Sequence, residues 1–273
     1  MLTVLPVSTT HIPNCFEIAK NHMTQLHSTD LIVGASSGIG RSLALALARE
    51  RRLVALVGRS EERLTRVAAE VRMFGGEALS LLSDVRDPVS IQAALAQIIL
   101  RNQRIETVYL SSGIGLETDT ESFTVDALEE MLQTNVLGVA HWLEALQPLL
   151  RAQPGGATVA VISSLAADRA IPGGGAGYSA TKAAVSHLCD GLRAPFALQG
   201  IRLITVAPGF IRTPMTNGLP EMPLLMEPED ATAAILAGVR RGQPVVRFPR
   251  LASLAMTGLS FLPPRLLDKL YRA

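Results

Sequence analysis

An apolar run, Leu31-Ile32-Val33, ends at once in the turn Gly34-Ala35-Ser36-Ser37-Gly38-Ile39-Gly40, and Arg41 to Arg52 follow with alanine and leucine at helical spacing. That order is the signature of a buried strand, a tight turn and a helix in a parallel α/β sheet. Glycine lets the backbone close up and approach a ligand. A helix that begins on such a turn offers unpaired amides and the positive end of its dipole, which suits the phosphates of a dinucleotide. A plain turn is the competing reading, and the flanking strand and helix weigh against it.

The alternation continues along the chain. Leu53 to Val57, Ala78 to Ser83, Thr107 to Leu110, Thr158 to Ile162, Ile201 to Val206 and Val245-Val246 read as further strands. Between them Glu61 to Met73, Pro88 to Arg101, Leu128 to Leu150, Tyr178 to Gln199 and Pro228 to Arg241 read as helices. This predicts an α/β chain with a single doubly wound, Rossmann-type domain: a central parallel sheet of about seven strands with helices on both faces. Functional residues then collect at the carboxyl ends of the strands. The chain is 48% hydrophobic and carries a net charge of +1, so it can bury a large core and has no general attraction to nucleic acid. Cys15 and Cys189 suggest neither a disulfide framework nor a zinc site, the histidines are scattered, and no metal is expected.

Three stretches are expected: a poorly patterned extension over 1–28, a nucleotide-binding catalytic domain over 29–250, and an apolar and basic helical tail over 251–273. The extension lacks the basic and long apolar regions of a secretory signal, so a cytoplasmic location is the default, and Met23 is an alternative start. The segment from Thr213 to Pro228 is read as a mobile lid, whose Met215, Leu219, Met222, Leu224, Leu225 and Met226 imply an apolar pocket. Leu251 to Leu262 is nearly uncharged and too short to span a bilayer. It is expected to pack on the lid or on another subunit. Peripheral membrane contact through Phe261, Arg265, Lys269 and Arg272 is the sharper alternative.

Two further places carry chemistry. At the end of the second strand stands Gly58-Arg59-Ser60, with no acid to bond a ribose hydroxyl. Arg59, with Ser36 and Arg41 nearby, suits a 2′-phosphate, so NADP(H) is expected in preference to NAD(H). Further on, Tyr178-Ser-Ala-Thr-Lys182 sets a phenol and an ammonium one helical turn apart, with Ser163-Ser164 at the preceding strand end. A cation held beside a phenol favours the phenolate, which normally forms only near pH ~10. Asn135 lies inside a helical segment, where asparagine is a poor choice on propensity alone.

Together these residues resemble the classical short-chain dehydrogenase/reductase family, over about residues 29 to 247. The family's Thr-Gly-x-x-x-Gly-x-Gly turn appears with Val33 for Thr, and its Asn-Asn-Ala-Gly segment appears as Leu110-Ser111-Ser112-Gly113, which asks the serine hydroxyls to replace lost side-chain support. The resemblance implies catalytic Asn135, Ser164, Tyr178 and Lys182, with Ser163 an alternative to Ser164 because the spacing from Ser164 to Tyr178 is one residue longer than the family's common one. It implies cofactor contacts at Gly34, Ser36, Ser37, Gly38, Ile39, Gly40, Arg59, Asp84, Val85, Ser112, Gly113, Tyr178, Lys182, Pro208, Gly209, Ile211 and Thr213.

The activity so implied is hydride transfer between nicotinamide and a carbonyl or alcohol carbon of a small molecule. Ser164 would bond the oxygen and Tyr178 would act as acid or base. Lys182 would lower the Tyr178 pKa and hold the nicotinamide ribose, while Asn135 would hold a water linking Lys182 to solvent. A homodimer or homotetramer is implied as well. A regulatory protein that binds NADP(H) with little or no catalysis is the rival reading, and the altered Leu-Ser-Ser-Gly segment is its one support.

Overall fold

The computed structural model describes residues 27–272 apart from 102, 171–172, 218–221 and 223. The extension before His27, the Met23 start and Leu219 of the expected lid lie outside the described residues.

Seven strands form one parallel sheet: β1 (His27–Val33), β2 (Leu53–Gly58), β3 (Glu77–Leu82), β4 (Gln103–Leu110), β5 (Ala157–Ile162), β6 (Ile201–Pro208) and β7 (Val245–Phe248). Their order across the sheet is β3-β2-β1-β4-β5-β6-β7. The helices between them are α1 (Gly38–Arg49), α2 (Glu61–Met73), α3 (Pro88–Leu100), α4 (Asp126–Met131), α5 (Gly138–Ala152), α6 (Ala176–Ala197) and α7 (Pro228–Arg240), followed by α8 (Arg250–Ser260) and α9 (Pro264–Arg272).

Successive strand residues point to opposite faces, and the core divides accordingly. Leu31 and Val33, with Ala55, Val57, Val108 and Val161, form one core layer with Ile91, Leu95, Trp142, Leu146 and Val185 of α3, α5 and α6. Ile32, Val54, Leu56, Tyr109 and Ile204 face the other way, against Leu43, Leu47, Leu64, Val67 and Ile235 of α1, α2 and α7. Each fully buried Leu, Ile or Val contributes roughly 1.5–3 kcal/mol, so both helix layers are firmly held. Strands buried on both faces explain the unbroken apolar runs.

Element starts follow local chemistry. Asp87 caps α3 by accepting from the Val89 amide at 3.0 Å, and Pro88 takes the first helical position, where no amide bond is needed. Ser60 caps α2 in the same manner through the Arg63 amide.

β1 and β4 begin at His27 and Gln103, ahead of the apolar runs that announced them. Those added residues are polar apart from the buried Ile105, and the two acids among them are paired. Arg52 bonds the buried Asp30 carboxylate at 2.8 Å and meets Glu106 at 3.0 Å. The reversal of strand order falls between β1 and β4, and there the carboxyl ends open a crevice.

Candidate active site

The crevice is built first by the turn after β1. Gly34 and Gly38 adopt positive φ angles of 87° and 52°, a region that side chains disfavour. The amides of Gly34 and Ala35 both donate to the Val57 carbonyl, at 2.9 and 3.0 Å, so the turn is pinned to β2. A Cβ on Gly40 would stand 2.2 Å from the Gly34 oxygen. Ser37 begins α1 with extended backbone, no side-chain cap bond is made, and the first turn holds no acid. Its leading amides are therefore left to an anion. Ser36 borders the site beside Gly58, and Thr213 closes over Gly38 at 3.1 Å from where a Cβ would be.

The altered segment after β4 supports this turn. The Ser111 hydroxyl donates to the Val33 carbonyl at 2.7 Å, in parallel with the Ser111 amide at 2.9 Å. The hydroxyl thus ties the two central strands, the support asked of it by the sequence. Ser112 packs directly on Gly34, which has no room for a side chain on that account.

At the far edge of the turn, Arg59 is exposed and lies 3.8 Å from Asp84. Asp84 is gripped by Arg86 at 2.7 Å, and that guanidinium, more than Arg59, holds its carboxyl below the usual range. Arg41 is engaged elsewhere, with Glu70 at 2.7 Å. Val85 packs against Gly138, at the start of α5.

The second half of the crevice comes from β5, α6 and the turn before α5. Residues Leu132–Leu137 form a π-helical turn, and this places Asn135 fully inside. Its Oδ1 accepts from the Ile114 amide at 2.8 Å, while Nδ2 donates to the Ile114 carbonyl at 2.9 Å and to Thr181 Oγ1 at 3.1 Å. Asn135 is thus a clamp between the loop after β4 and α6. Gly113 sits beside it, and a Cβ there would lie 3.3 Å from Asn135 Oδ1 and 3.5 Å from Lys182 Nζ.

The two serines after β5 have separate tasks. The Ser163 hydroxyl donates to the Lys182 carbonyl at 3.0 Å and pairs with Ser186 at 2.7 Å, binding α6 to the strand. Ser164 stands near enough to the Tyr178 phenol to pull its pKa down, while its hydroxyl donates to the Pro208 carbonyl at 3.5 Å and its oxygen accepts from the Ala166 amide at 3.1 Å. Geometry therefore brings Ser164, and not Ser163, to the phenol.

Tyr178 is half-buried. Lys182 Nζ donates to the Ile162 carbonyl at 2.9 Å and lies 5.6 Å from the centre of that ring. Burial dominates both groups: it pushes the phenol up to about 12, against the pull of Ser164, and pushes the ammonium down to about 8. In the chain by itself the lysine does not lower the tyrosine. Loss of water outweighs a cation at this distance.

β6 ends at Pro208, and the amide of the following Gly209 donates to the Phe248 carbonyl at 2.8 Å. Ile211 is buried and bridged to Met226. This bridge and the Arg212–Glu227 pair, at 2.8 Å, fasten the base of the expected lid. Met215 reaches back into the crevice, where it and Tyr178 crowd Gly115 at 3.4 and 3.6 Å from a Cβ position.

Two participants carried no sequence signal strong enough to name them. Thr181 holds Asn135, and Arg247 of β7 forks onto Asp168 in the loop after Ser164 while bonding Ser253 of α8 at 2.8 Å.

Lys182→Met is expected to raise the unfolding free energy of the cofactor-free protein by about 1–2 kcal/mol at pH 6. A displacement from 10.5 to about 8 corresponds to roughly 3 kcal/mol of burial cost, and the lost bond to Ile162 returns part of it. The sign fixes the pH range. Between about 8 and 10.5 the unfolded chain holds a proton that the native chain has released, so wild-type stability rises with pH there. The advantage of the variant should be complete below pH 8 and fade across that window. Urea titrations at several pH values measure it, and a variant less stable at pH 6 would refute the burial cost.

Residues 29–223 match the short chain dehydrogenase family. An uncharacterized oxidoreductase of Myxococcus xanthus is 32% identical over 244 residues, covering 89% of this chain and 95% of that one. A short-chain dehydrogenase from Sphingobium yanoikuyae, solved in complex with NADPH, superposes with a TM-score of 0.72 at 28% identity, covering 87% of this chain and 97% of that one. Levodione reductase gives a TM-score of 0.74 at 28% identity, covering 86% and 99%.

Proposed function

The chain belongs to the short-chain dehydrogenase family, and from that premise we propose that it is an NADP(H)-dependent oxidoreductase acting on the carbonyl or alcohol carbon of an apolar small molecule. The observation that carries the reading is the convergence of three side chains: Ser164 acts on the Tyr178 phenol, and the Lys182 ammonium lies 5.6 Å from the centre of the same ring.

The residues present fit a dinucleotide. The Gly34–Gly40 turn is packed too closely for side chains at Gly34 and Gly40, and the first turn of α1 holds no acid to compete for its amides. Gly34, Ser36, Ser37, Gly38, Ile39 and Gly40 would hold the pyrophosphate, Asp84 and Val85 the adenine, and Arg59 the 2′-phosphate. Ser112, Gly113, Tyr178, Lys182, Pro208, Gly209, Ile211 and Thr213 would line the nicotinamide half. When bound, the cofactor supplies or accepts the hydride.

The chain's own residues handle the oxygen and its proton. In reduction, negative charge grows on the carbonyl oxygen and must meet donors already in place. The Ser164 hydroxyl supplies one bond, and Tyr178 gives up its proton as general acid. A phenol pushed up to about 12 keeps that proton at neutral pH, which supports the reductive direction. Asn135 ties the Ile114 backbone to Thr181, the residue before Lys182, so its part is positioning. Met215 and Gly115 shape an apolar wall beside Tyr178, in line with an apolar substrate. A homodimer or homotetramer is proposed by analogy with the family.

NADPH consumption against a panel of ketones and aldehydes tests the reading. Turnover supports it. Saturable NADPH binding without turnover across the panel would favour a cofactor-binding regulatory protein instead. Cofactor preference has its own test. Arg59→Asp is expected to lower the NADPH to NADH ratio of kcat/KM by about 30-fold, through loss of a charge-assisted bond and gain of repulsion. An unchanged ratio would remove Arg59 from the role.

A further inference from the structure

Helix α8 leaves the carboxyl end of β7, on the same edge of the sheet as the crevice, and none of its residues is buried. Ser253 and Thr257 turn inward to Arg247, which also holds Asp168. The opposite side presents Leu251, Leu254, Ala255, Gly258 and, one turn on, Phe261, a spacing that lines up along one helix face. Leu251 is 64% exposed, Leu254 71% and Phe261 82%. At the start of α9, Leu266 is exposed beside Arg265 and Lys269.

The charges around this stripe are one-sided. Four of the 25 Lys and Arg, and one of the 24 Asp and Glu, follow residue 248, a surplus of three on the tail; the preceding chain is left with 21 against 23, a deficit of two. From Pro249 to Leu267 there is no acid at all.

We propose that this face seats the protein on an anionic lipid surface, with Leu251, Leu254 and Phe261 entering the interface and Arg250, Arg265 and Lys269 meeting lipid phosphates. Apolar residues along one helix face with cations at its flanks are the pattern of an interfacial helix. A second copy of the chain suits the face less well. An isologous contact would bring each stripe against its twin, with cations on both sides and no carboxylate between Pro249 and Leu267 to pair them. The attachment is peripheral: α8 has 11 residues, and among the described residues no helix is long and apolar enough to cross a membrane. Because α8 is tied through Arg247 to the loop after Ser164, the seated face lies beside the crevice.

The test is co-sedimentation of the full chain with phosphatidylcholine vesicles, with and without about 30% phosphatidylglycerol. Binding is expected only to the anionic vesicles, and to weaken as salt is added. Leu254→Asp combined with Phe261→Asp should lower the bound-to-free ratio at least about tenfold. Leu198→Asp, at a 91% exposed position at the other end of α6, should leave it unchanged. NADPH affinity and thermal midpoint, measured on the same samples, confirm that the variants are folded.

Three results would overturn the proposal: no binding to either vesicle, equal binding to both, or undiminished binding of the double variant. A fall in oligomeric state of that variant without lipid would also overturn it, by assigning the face to contact between copies. None of these readouts depends on turnover, so the proposal fails or stands separately from the enzymatic reading.

Discussion

Tyr178→Phe should cut NADPH-dependent carbonyl reduction by about 10³-fold or more while cofactor affinity stays within about tenfold. The substitution removes one hydroxyl and keeps the ring. What disappears is the α6 hydroxyl that Ser164 acts on and that can deliver a proton to a substrate oxygen. Stability should change by no more than about 1 kcal/mol, since Ser164 keeps its bonds to the Pro208 carbonyl and from the Ala166 amide. The lost proton donor should appear in kcat more than in KM, because the proton moves only as charge develops on the substrate oxygen. Steady-state rates beside NADPH titrations by fluorescence make the comparison. A loss smaller than about tenfold would move the acid elsewhere.

Gly40→Ala should be severely damaging for a single added methyl. Its Cβ would lie 2.2 Å from the Gly34 carbonyl and 2.7 Å from the Ser111 hydroxyl, and the nearer of these is backbone. Relief requires the turn to open, which pulls Gly34 from Ser112 and strains the Ser111 link between β1 and β4. A destabilisation of about 3 kcal/mol or more is expected, at the upper end for overpacking. NADPH affinity should fall by at least about 30-fold, because the same turn would carry the phosphates. Gly191→Ala is the matched control: it lies inside α6 with nothing within 4 Å of its Cβ, and should stabilise by about 1 kcal/mol. Equal behaviour of the two variants would show that the turn is not tightly packed.

Much of this arrangement could be read in the sequence because apolar period and glycine spacing report on the chain locally. The strand alternation, the turn at Gly34 and the face shared by Tyr178 and Lys182 are of that kind. Other features depend on partners far away along the chain. Ser28 to Asp30, with Arg104 and Glu106, extend their strands although polar, because Arg52 satisfies Asp30 and Glu106 across the sheet. The π-helical turn at Asn135 changes the bonding by one residue and leaves no mark in composition. Spacing left Ser163 and Ser164 open, and the bond from Ser163 to the Lys182 carbonyl separates them. Sequence placed Lys182 one turn from Tyr178 without giving the local dielectric, so the expected lowering of the phenol's pKa met burial acting the other way. Arg247 and Asp168 are 79 residues apart and follow no motif.

The pairing of β1 with β4 has a consequence for how the chain reaches this structure. Ile32 lies opposite Tyr109, 77 positions later, whereas β2 pairs with β3 across a single intervening helix. During synthesis, β1, β2 and β3 can associate on the ribosome before β4 has emerged. The seam that joins the nucleotide half to the catalytic half must wait. Closing so long a loop is entropically costly, and non-local parallel pairing of this sort slows folding. Until the seam closes, the inner edge of β1 stays open to pairing with another nascent chain, so the period of greatest aggregation hazard ends when Ser111 docks on Val33.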